Sequence, residues 1–282
     1  MISVLILTKN EEQDLPDCLE SVRWSDDIHV FDSFSTDHTL KIAQEYGAKT
    51  LQREFDNYAA QRNAALEQAG FKHHWVLILD ADERIPEDLA TEMFNFVGDA
   101  HNENYSACRI RRRDFLGTTW LKHVQVSPYY LRLVVPDKVH YEREINEVLH
   151  VDGPIYGLTQ PFDHYPFSKG MAHWLHKHNI YSSMEAMQVI NSRKKKTSFS
   201  FYEAFFNRDF NQRRFHQKEL FYRLPARPFI KFLILYFLKR GFLDGRAGFT
   251  YAVLQSFYEY MIVLKTRELY IKQEMRMHDQ GA

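Results

Sequence analysis

The stretch Trp75–Glu83, with the sequence WVLILDADE, decides the fold of this chain of 282 residues. Its first five residues are all apolar, which is typical of a strand that is buried on both faces of a parallel sheet. The acidic residues that follow then stand at the carboxyl end of that strand. A second apolar run, Ile2–Leu7, opens the chain and is followed by a polar loop.

Helical patterns separate the predicted strands in the first half of the chain. In Leu15–Val22 apolar residues recur with the spacing i, i+3, i+4 and i+7, and Ser35 or Thr36 is expected to cap the next helix. Strands that alternate with helices of this length predict an α/β fold with a mostly parallel, Rossmann-like sheet. The predicted strands of this half are Ile2–Leu7, Ile28–Phe31, Thr50–Gln52 and Trp75–Leu79.

The pattern changes after residue 105. Tyr105–Arg113 and Tyr129–Val135 predict strands with alternating faces, and from Ser168 onward the chain has a helical pattern with few breakers. We therefore predict two regions, an α/β domain over residues 1–165 and a helical region over residues 166–282. In α/β sheets of this kind ligands bind beyond the carboxyl ends of the strands, so the site is expected in the first region.

The overall composition is that of an ordinary globular protein, with 45% apolar and 26% charged residues. The two cysteines, Cys18 and Cys108, form no CxxC pair, which excludes a disulfide scaffold and a cysteine-rich zinc site. The N-terminus has no basic leader and only a short apolar run, so it is not expected to be a signal peptide. The cytoplasm is therefore the expected location.

Charge is unevenly distributed along the chain. Residues 191–240 carry a net charge of +10, whereas residues 1–190 carry a net charge of −11. The basic block is also rich in aromatic residues, a mixture that suits an anionic membrane or a nucleic acid. A solvated basic face of a helical bundle is the alternative interpretation.

Within the basic block, Pro228–Leu238 is the longest apolar run, and it is too short to span a bilayer. It predicts an element that lies in the membrane interface. The side chains expected to insert there are Phe229, Phe232, Leu233, Leu235 and Phe237.

Asp80 and Asp82 form the chemical centre of the sequence. Residues i and i+2 of an extended chain point to the same side, and two neighbouring carboxylates there either repel each other or share a cation. Hard divalent ions, Mg²⁺ or Mn²⁺, bind such oxygen ligands and often complete their shell with substrate phosphates. The pair therefore predicts a substrate with a diphosphate group. An acidic first turn of the helix that follows Pro86 is the alternative.

Several stretches of this sequence resemble glycosyltransferase family 2, whose members have the GT-A fold that binds nucleotide-diphospho-sugars. Over its whole length the chain is similar to the branch that contains lipopolysaccharide-core β-1,4-glucosyltransferases. The stretches that carry the resemblance are Leu5–Glu12, Asp32–Thr39, Gln61–Leu66, Trp75–Glu83, Ile145–Gly153, Trp174–Ser182 and Gly241–Gly245.

The resemblance implies roles for individual residues at the donor site. Thr8 and Glu11 lie where the first loop of the family meets the nucleotide. Asp32 lies where an acid commonly holds the base or the ribose, although Ser33 stands where many relatives have a second acid. Arg62 lies where a basic residue approaches the diphosphate.

The same resemblance implies the metal site and a catalytic base. Asp80 and Asp82 match the family's DxD pair, and Asp82 is expected to contact the metal directly. Many members of the branch have a His-Glu pair before a short strand, and Asn146-Glu147 stands there in this chain. Glu147 is therefore the expected base, with Glu144 and Asp114 as alternatives.

Together these observations predict a metal-dependent, inverting glycosyltransferase on the inner face of the cytoplasmic membrane. A UDP-hexose is the expected donor, Mg²⁺ or Mn²⁺ the expected cofactor, and a lipid-linked or lipopolysaccharide glycan the expected acceptor. No nucleic acid partner is expected.

Two other functions fit parts of the pattern. A sugar-nucleotide nucleotidyltransferase should have a glycine-rich loop after its first strand, but Thr8–Glu11 stands there. A non-enzymatic membrane-binding module on a degenerate transferase fold would tolerate loss of Asp80, Asp82 and Glu147, all of which are present.

Overall fold

The computed structural model describes residues 1–125, 128–142, 148–194, 200–207 and 210–280. The expected base Glu147 and its alternative Glu144 lie outside these residues, as do Lys195 and Lys196 of the basic block. The chain divides into two compact units. The first unit comprises Met1–Trp120 and Val126–Lys169, and the second comprises Leu121–Gln125 and Gly170–Ala282. The predicted division lay after residue 165, and the functional assignment of the two regions stays a prediction.

The described part of the first unit contains twelve strands and four α-helices. The strands are β1 Ile2–Thr8, β2 Ile28–Asp32, β3 Lys49–Gln52, β4 Trp75–Asp80, β5 Glu83–Arg84, β6 Ala107–Leu116, β7 Thr119–Trp120, β8 Tyr129–Val134, β9 Val139–Glu142, β10 Val148–Val151, β11 Ile155–Gly157 and β12 Phe162–His164. The helices are α1 Leu15–Ser21, α2 Thr39–Glu45, α3 Tyr58–Gln68 and α4 Glu87–Gly98.

The sheet of the first unit has the strand order β3-β2-β1-β4-β8-β6-β12-β5. Strands β3, β2, β1 and β4 run parallel to one another, whereas β8 runs antiparallel to both of its neighbours. The expected α/β fold with a mostly parallel sheet is therefore confirmed. Strands β9 and β10 form a separate antiparallel pair.

The apolar run of β4 is explained by packing on both faces of the sheet. Leu77 and Leu79 belong to one core cluster together with Met93 of α4. Ile78 belongs to a second cluster together with Ala65 of α3. Because successive side chains of a strand point to opposite faces, both faces of β4 have to be apolar.

The predicted cap of α2 is wrong. This helix begins at Thr39, and its first turn has no side-chain cap from Ser35 or Thr36. Ser35 instead donates hydrogen bonds to Asp32 from its backbone N–H, at 2.8 Å, and from its hydroxyl, at 2.5 Å. The buried carboxylate of Asp32 needs donors, and the loop satisfies it before the helix can start.

The second unit is helical, as expected for the C-terminal region. Its α-helices are α5 Gly170–Lys194, α6 Phe201–Phe206, α7 Phe210–Arg223, α8 Arg227–Leu233 and α9 Gly245–Gln280. A π-helical segment, Ile234–Leu238, and a 3₁₀ helix, Gly241–Asp244, connect α8 to α9. Among the described residues, no helix is both long enough and apolar enough to cross a membrane.

Candidate active site at the carboxyl edge of the sheet

Thr8 and Asp32 meet where β1 and β2 end. The two residues are opposite each other in the parallel register, and the Thr8 hydroxyl donates to Asp32 Oδ1 at 2.8 Å. The other oxygen, Oδ2, accepts from the Ser35 backbone N–H and, at 3.2 Å, from Gln52 Nε2. Asp32 is fully buried, so these contacts fix the loop after β2. The two predicted nucleotide residues are thus brought together.

A lysine that the sequence analysis did not single out joins the two loops. Lys9 Nζ donates to the carbonyl oxygens of Ser33, at 2.6 Å, and Phe34, at 2.7 Å. Asn10 and Phe34 both have left-handed backbones, with φ of 54° and 55°. Non-glycine residues adopt such angles rarely, and they do so where surrounding contacts determine the conformation.

Asp80, the last residue of β4, is held by two arginines. Arg62 Nη2 of α3 donates to Oδ1 and Arg132 Nη2 of β8 donates to Oδ2, each at 2.9 Å. Burial disfavours the charged carboxylate, but the two guanidinium groups outweigh it and hold the pKa of Asp80 well below its usual range. The predicted diphosphate residue Arg62 is therefore in contact with the first acid of the DxD pair.

Glu83 completes this charged cluster. It accepts a hydrogen bond from the Asp80 backbone N–H at 3.0 Å and forms an ion pair with Arg132. Its side chain is fully buried, and this burial raises its pKa to about 7 against the opposing effect of Arg132. The contacts join both ends of the turn that carries Asp82.

Asp82 does not lie in an extended strand with Asp80, because a turn separates β4 from β5. Its carboxylate Oδ2 lies 3.3 Å from Nε2 of His164. The other ring nitrogen of His164, Nδ1, lies 2.6 Å from Asp114 Oδ1. Burial works against the imidazolium, but these two carboxylates outweigh it and raise the pKa of His164 to about 9.

Strand pairing explains why His164 reaches this place. In β12 it is the partner of Asp114 in β6 and of Glu83 in β5. Strand β12 has only three residues, which is too short for its pattern to be recognised in the sequence. His164 was therefore missed, and so was Arg132, whose role depends on the antiparallel placement of β8.

Asp114, one of the alternative bases, is almost completely buried, at 1% exposure. It contacts His164, and its Oδ1 lies 2.9 Å from Arg112 Nε in an ion pair. A carboxylate in these surroundings orients the imidazole, as the outer carboxylate of a carboxylate–histidine pair does at metal sites. Its burial argues against direct proton transfer from a bound acceptor.

Glu11 lies close enough to Asp82 for the negative charge of Asp82 to raise the pKa of Glu11. Its Oε1 is 2.6 Å from Nζ of Lys169, which also donates to the Asn10 carbonyl oxygen at 2.9 Å. Burial raises the pKa of Glu11 to about 7; Lys169 opposes this shift, and the negative charges of Asp82 and Asp14 reinforce it. Lys169 is a further site residue that the sequence analysis did not identify.

The described residues hold no group of three histidine, cysteine or acidic side chains at the spacing that a metal ion requires. Asp82 and His164 form a pair of one oxygen and one imidazole donor, 3.3 Å apart. Mn²⁺ accepts both kinds of donor, whereas Mg²⁺ prefers oxygen alone. Because its raised pKa keeps His164 protonated at neutral pH, the pair fits a cation only if the ion displaces the proton on Nε2 of His164.

A mostly parallel sheet with polar loops gathered at its carboxyl edge is typical of enzymes that bind a nucleotide there. The chain belongs to glycosyl transferase family 2, because the model of that family matches residues 3–154, more than half of the chain. It is a glycosyltransferase, and the family, the GT-A fold and the enzyme class expected from the resemblance are confirmed.

Curated relatives match over nearly the whole chain. An uncharacterised glycosyltransferase of Rickettsia typhi is 28% identical over 284 residues, which cover 96% of this chain and 88% of the relative. The lipopolysaccharide core biosynthesis glycosyltransferase LpsC of Rhizobium meliloti is 27% identical over 274 residues, which cover 94% of this chain and 91% of LpsC.

Solved structures show more distant similarity. TarS of S. aureus in complex with UDP-GlcNAc has a TM-score of 0.44 and 16% identity, covering 92% of this chain and 91% of that chain. Glucosyl-3-phosphoglycerate synthase of Mycobacterium tuberculosis, in complex with Mn²⁺ and UDP-glucose, has a TM-score of 0.32 and 22% identity, covering 42% and 44%. At these values the similarity bears on neither the donor nor the metal of this chain.

Proposed function

We propose that this glycosyltransferase transfers a hexose, with inversion, from a UDP-hexose to a lipid-linked or lipopolysaccharide glycan at the inner face of the cytoplasmic membrane. The observation that carries the proposal is the contact between Asp82 and His164 at the carboxyl edge of the sheet. The charge of Asp82 also acts on Glu11 of the first loop. The similarity to LpsC over nearly its whole length supports a glycan of the cell envelope as acceptor.

The nucleotide of the donor would bind at the loops that follow β1 and β2. Thr8, Glu11 and Asp32 remain the residues proposed to contact it. In the described structure the Asp32 carboxylate accepts hydrogen bonds only from its own loops and from Gln52. A ribose or base donor would therefore take the place of one of these partners, which makes recognition dependent on the geometry of the loop.

The diphosphate and its cation would bind next to Asp82. Asp82 and His164 are the residues proposed to hold Mn²⁺ or Mg²⁺. The ion would replace the proton on Nε2 of His164, and Mn²⁺ suits the imidazole better. When bound, such an ion acts as a Lewis acid that neutralises the leaving diphosphate. The carboxylate of Asp80 is paired with Arg62 and Arg132, so we propose that Asp80 keeps these arginines in place for the donor phosphates.

In the transfer step an acceptor hydroxyl oxygen attacks the anomeric carbon of the donor hexose. The new glycosidic bond forms as the bond from that carbon to the diphosphate oxygen breaks, and UDP leaves with the electron pair. The hydroxyl proton passes to a carboxylate, for which Glu147 remains the proposal. Glu147 directly precedes β10, which pairs with β9. Asn63 of α3 holds β9 by two hydrogen bonds to the backbone of Tyr141.

A product assay tests the function. Purified full-length protein is incubated with a panel of UDP-hexoses and a membrane lipid extract, with Mn²⁺, with Mg²⁺ and with excess EDTA, and the products are analysed by mass spectrometry. We expect a hexosylated lipid or lipopolysaccharide and release of UDP, both lost in EDTA. Formation of UTP and a hexose 1-phosphate from UDP-hexose when inorganic diphosphate is added would instead indicate a nucleotidyltransferase. Transfer undiminished in EDTA would contradict the metal site.

The base is tested with Glu147→Gln, because the amide keeps the shape but cannot accept a proton. Loss of a general base typically lowers the rate about 10²–10⁴-fold. Calorimetry should find donor binding unchanged. Glu144→Gln tests the alternative base in parallel. Near-normal turnover of Glu147→Gln would contradict the assignment, and loss of turnover in Glu144→Gln alone would move the role to Glu144.

A further inference from the structure

The connection from α8 to α9 in the second unit exposes an unusual number of large apolar side chains. Leu238 is 77% exposed and Phe229 is 64% exposed. We call these and the other exposed residues of the connection the aromatic face. Its members are Phe229, Leu233, Phe237, Leu238, Phe242, Leu243 and Phe249. An apolar set of this size on a monomer indicates an interaction surface.

Three members of the aromatic face lie along one continuous helical segment, because α8 runs directly into the π segment. Phe229, Leu233 and Phe237 follow one another at intervals of four residues along α8 and the π segment, so they share one side. The expected insertion of Leu235 is wrong, because that side chain is buried. Phe232 is only half-buried, and its ring stacks on that of Tyr236 with 5.3 Å between centroids.

Positive charge accompanies the aromatic face. The side chains of Lys239, Arg240 and Arg246 form no hydrogen bond or ion pair among the residues that the structure describes, whereas Lys231 is in the electrostatic field of Glu259 of α9. The acid of this connection, Asp244, is buried and accepts three hydrogen bonds from His123 and Val124. The connection therefore presents cations that its own carboxylate does not neutralise.

Two of these cations are partly withdrawn from water. Burial lowers the pKa of Lys231 and of Lys239, and the charge of Lys231 lowers that of Lys239 further. Nζ of Lys231 lies 5.7 Å from the ring centroid of Phe221. Lysine stems that cover apolar surface while their charge reaches towards an interface are typical of side chains at a membrane boundary.

We infer that the aromatic face, with these cations, inserts into the head-group layer of an anionic phospholipid bilayer. The apolar side chains would enter the acyl boundary, and the ammonium and guanidinium groups would meet lipid phosphates. A second copy of the chain fits less well, since a two-fold interface would place like charges against each other. This inference rests on the proposed placement at the membrane and assigns it to particular residues.

Vesicle sedimentation of the full-length protein, without donor or acceptor, tests the inference. We expect binding to vesicles of phosphatidylglycerol and phosphatidylethanolamine and little binding to vesicles of phosphatidylcholine. The double variant Phe237→Ser, Leu238→Ser should reduce the partition coefficient about tenfold or more. Phe55→Ser is the matched control, since Phe55 is an exposed phenylalanine of the first unit, and it should bind like the wild type.

Measurements at two salt concentrations separate the contribution of charge to vesicle binding from that of the apolar side chains. Lys239→Gln with Arg240→Gln should weaken binding several-fold in about 50 mM NaCl and have little effect in about 500 mM NaCl, where surface charges are screened. Equal binding to neutral and anionic vesicles, or unchanged binding of the Phe237 and Leu238 variant, would overturn the inference. So would a wild-type dimer in sedimentation velocity that this variant converts to monomers.

These outcomes are independent of the catalytic proposal. Vesicle binding involves no sugar transfer, and transfer to a detergent-solubilised acceptor requires no bilayer. Failure to bind vesicles together with intact transfer would reject the membrane surface alone, whereas vesicle binding without any transfer would reject the proposed function alone.

Discussion

The two units of the chain differ in whether their large apolar side chains are buried and whether their charged side chains are paired. In the first unit the strand residues Leu77 and Ile78 are completely buried and the buried acid Asp32 is surrounded by donors. The partly exposed Asp80 is paired with two arginines. In the second unit Leu238 is largely exposed, and the side chains of Lys239 and Arg240 form no ion pair among the described residues. The first arrangement stabilises a precise site, and the second leaves a surface that a partner can cover.

Because of this difference, buried groups of the first unit matter for folding, whereas exposed groups of the second unit matter for binding. A buried charge is tolerable only when it is paired, so the first unit depends on its charge network for folding as well as for chemistry. Exposed apolar side chains contribute little to folding, so in the second unit they are available for binding. Five substitutions test this contrast, in order of decreasing expected effect.

Asp82→Asn should remove most of the transfer activity while leaving the fold intact. The amide keeps the shape of the side chain but loses the negative charge that pairs with His164 and that would hold a cation in its place. We expect transfer to fall at least about 10³-fold, which corresponds to several kcal/mol of transition-state stabilisation. The product assay and a thermal melt check this. A variant that transfers at the wild-type rate would remove Asp82 from the site.

Leu77→Ala should destabilise the first unit without touching the site residues. Leu77 is completely buried in β4, and a truncation of this kind costs about 2–5 kcal/mol because it leaves a cavity. Chemical denaturation measures the loss in the free energy of unfolding. A loss below about 1 kcal/mol would show that the core of the first unit relaxes around the gap.

Asp27→Asn should weaken the opposite end of the same sheet. Asp27 accepts hydrogen bonds from Ser3 Oγ at 2.6 Å and from Lys49 Nζ and the Lys72 backbone N–H, each at 2.7 Å. Removing a buried partner of such a network costs about 3 kcal/mol. Asp26→Asn is the matched control, because the carboxylate of Asp26, the residue before Asp27, is more exposed.

The pH dependence of this effect has a definite sign. Burial disfavours the Asp27 carboxylate, but its donors outweigh burial and hold its pKa below the ordinary value of 3.8. A depressed carboxyl pKa contributes stability above pH 3.8 that is lost as the pH falls below it. Wild-type protein should therefore lose more stability than Asp27→Asn between about pH 4.5 and pH 2.5. Parallel pH profiles in denaturant titrations would contradict the assignment.

Asp114→Asn should lower transfer by about 10–100-fold, the usual cost of removing a carboxylate that orients a metal-binding histidine. The affinity for Mn²⁺, measured by calorimetry, should fall as well, which separates positioning from a merely structural role. Asp163→Asn is the matched control, because Asp163 pairs with Arg113 in the neighbouring register position. If the control loses as much Mn²⁺ affinity, Asp114 has no particular role.

Leu238→Ala should have the smallest effect on folding. The chemical change is the same as in Leu77→Ala, but the side chain already faces solvent, so the free energy of unfolding should change by less than about 0.5 kcal/mol. The same denaturant titration compares the two variants directly. A large destabilisation would mean that Leu238 packs against other side chains of the protein. The two units would then not differ in the burial of this leucine.

Much of the site could be predicted from local pattern. The apolar run of β4 placed Asp80 and Asp82 at a strand end, and the family resemblance added Thr8 and Asp32, which the structure brings into contact. The prediction that Asp80 and Asp82 point to one side was less accurate. A turn follows Asp80, whose oxygens bond to Arg62 and Arg132.

The sequence by itself determined the alternation of strands and helices, the helical C-terminal region and the concentration of basic and aromatic residues in one block. These are local properties, because the burial of a strand or a helix face is encoded in the spacing of its own residues. Local spacing also sufficed to place the acidic pair at the end of β4.

Only the tertiary structure decided which charges meet. His164 reaches Asp82 and Asp114 because β12 pairs with β5 and β6, and Arg132 reaches Asp80 because β8 lies beside β4. Tertiary packing also decided that Leu235 is buried while Leu238 is exposed. Such contacts join residues far apart in sequence, and their geometry follows from register and packing, which no local pattern contains.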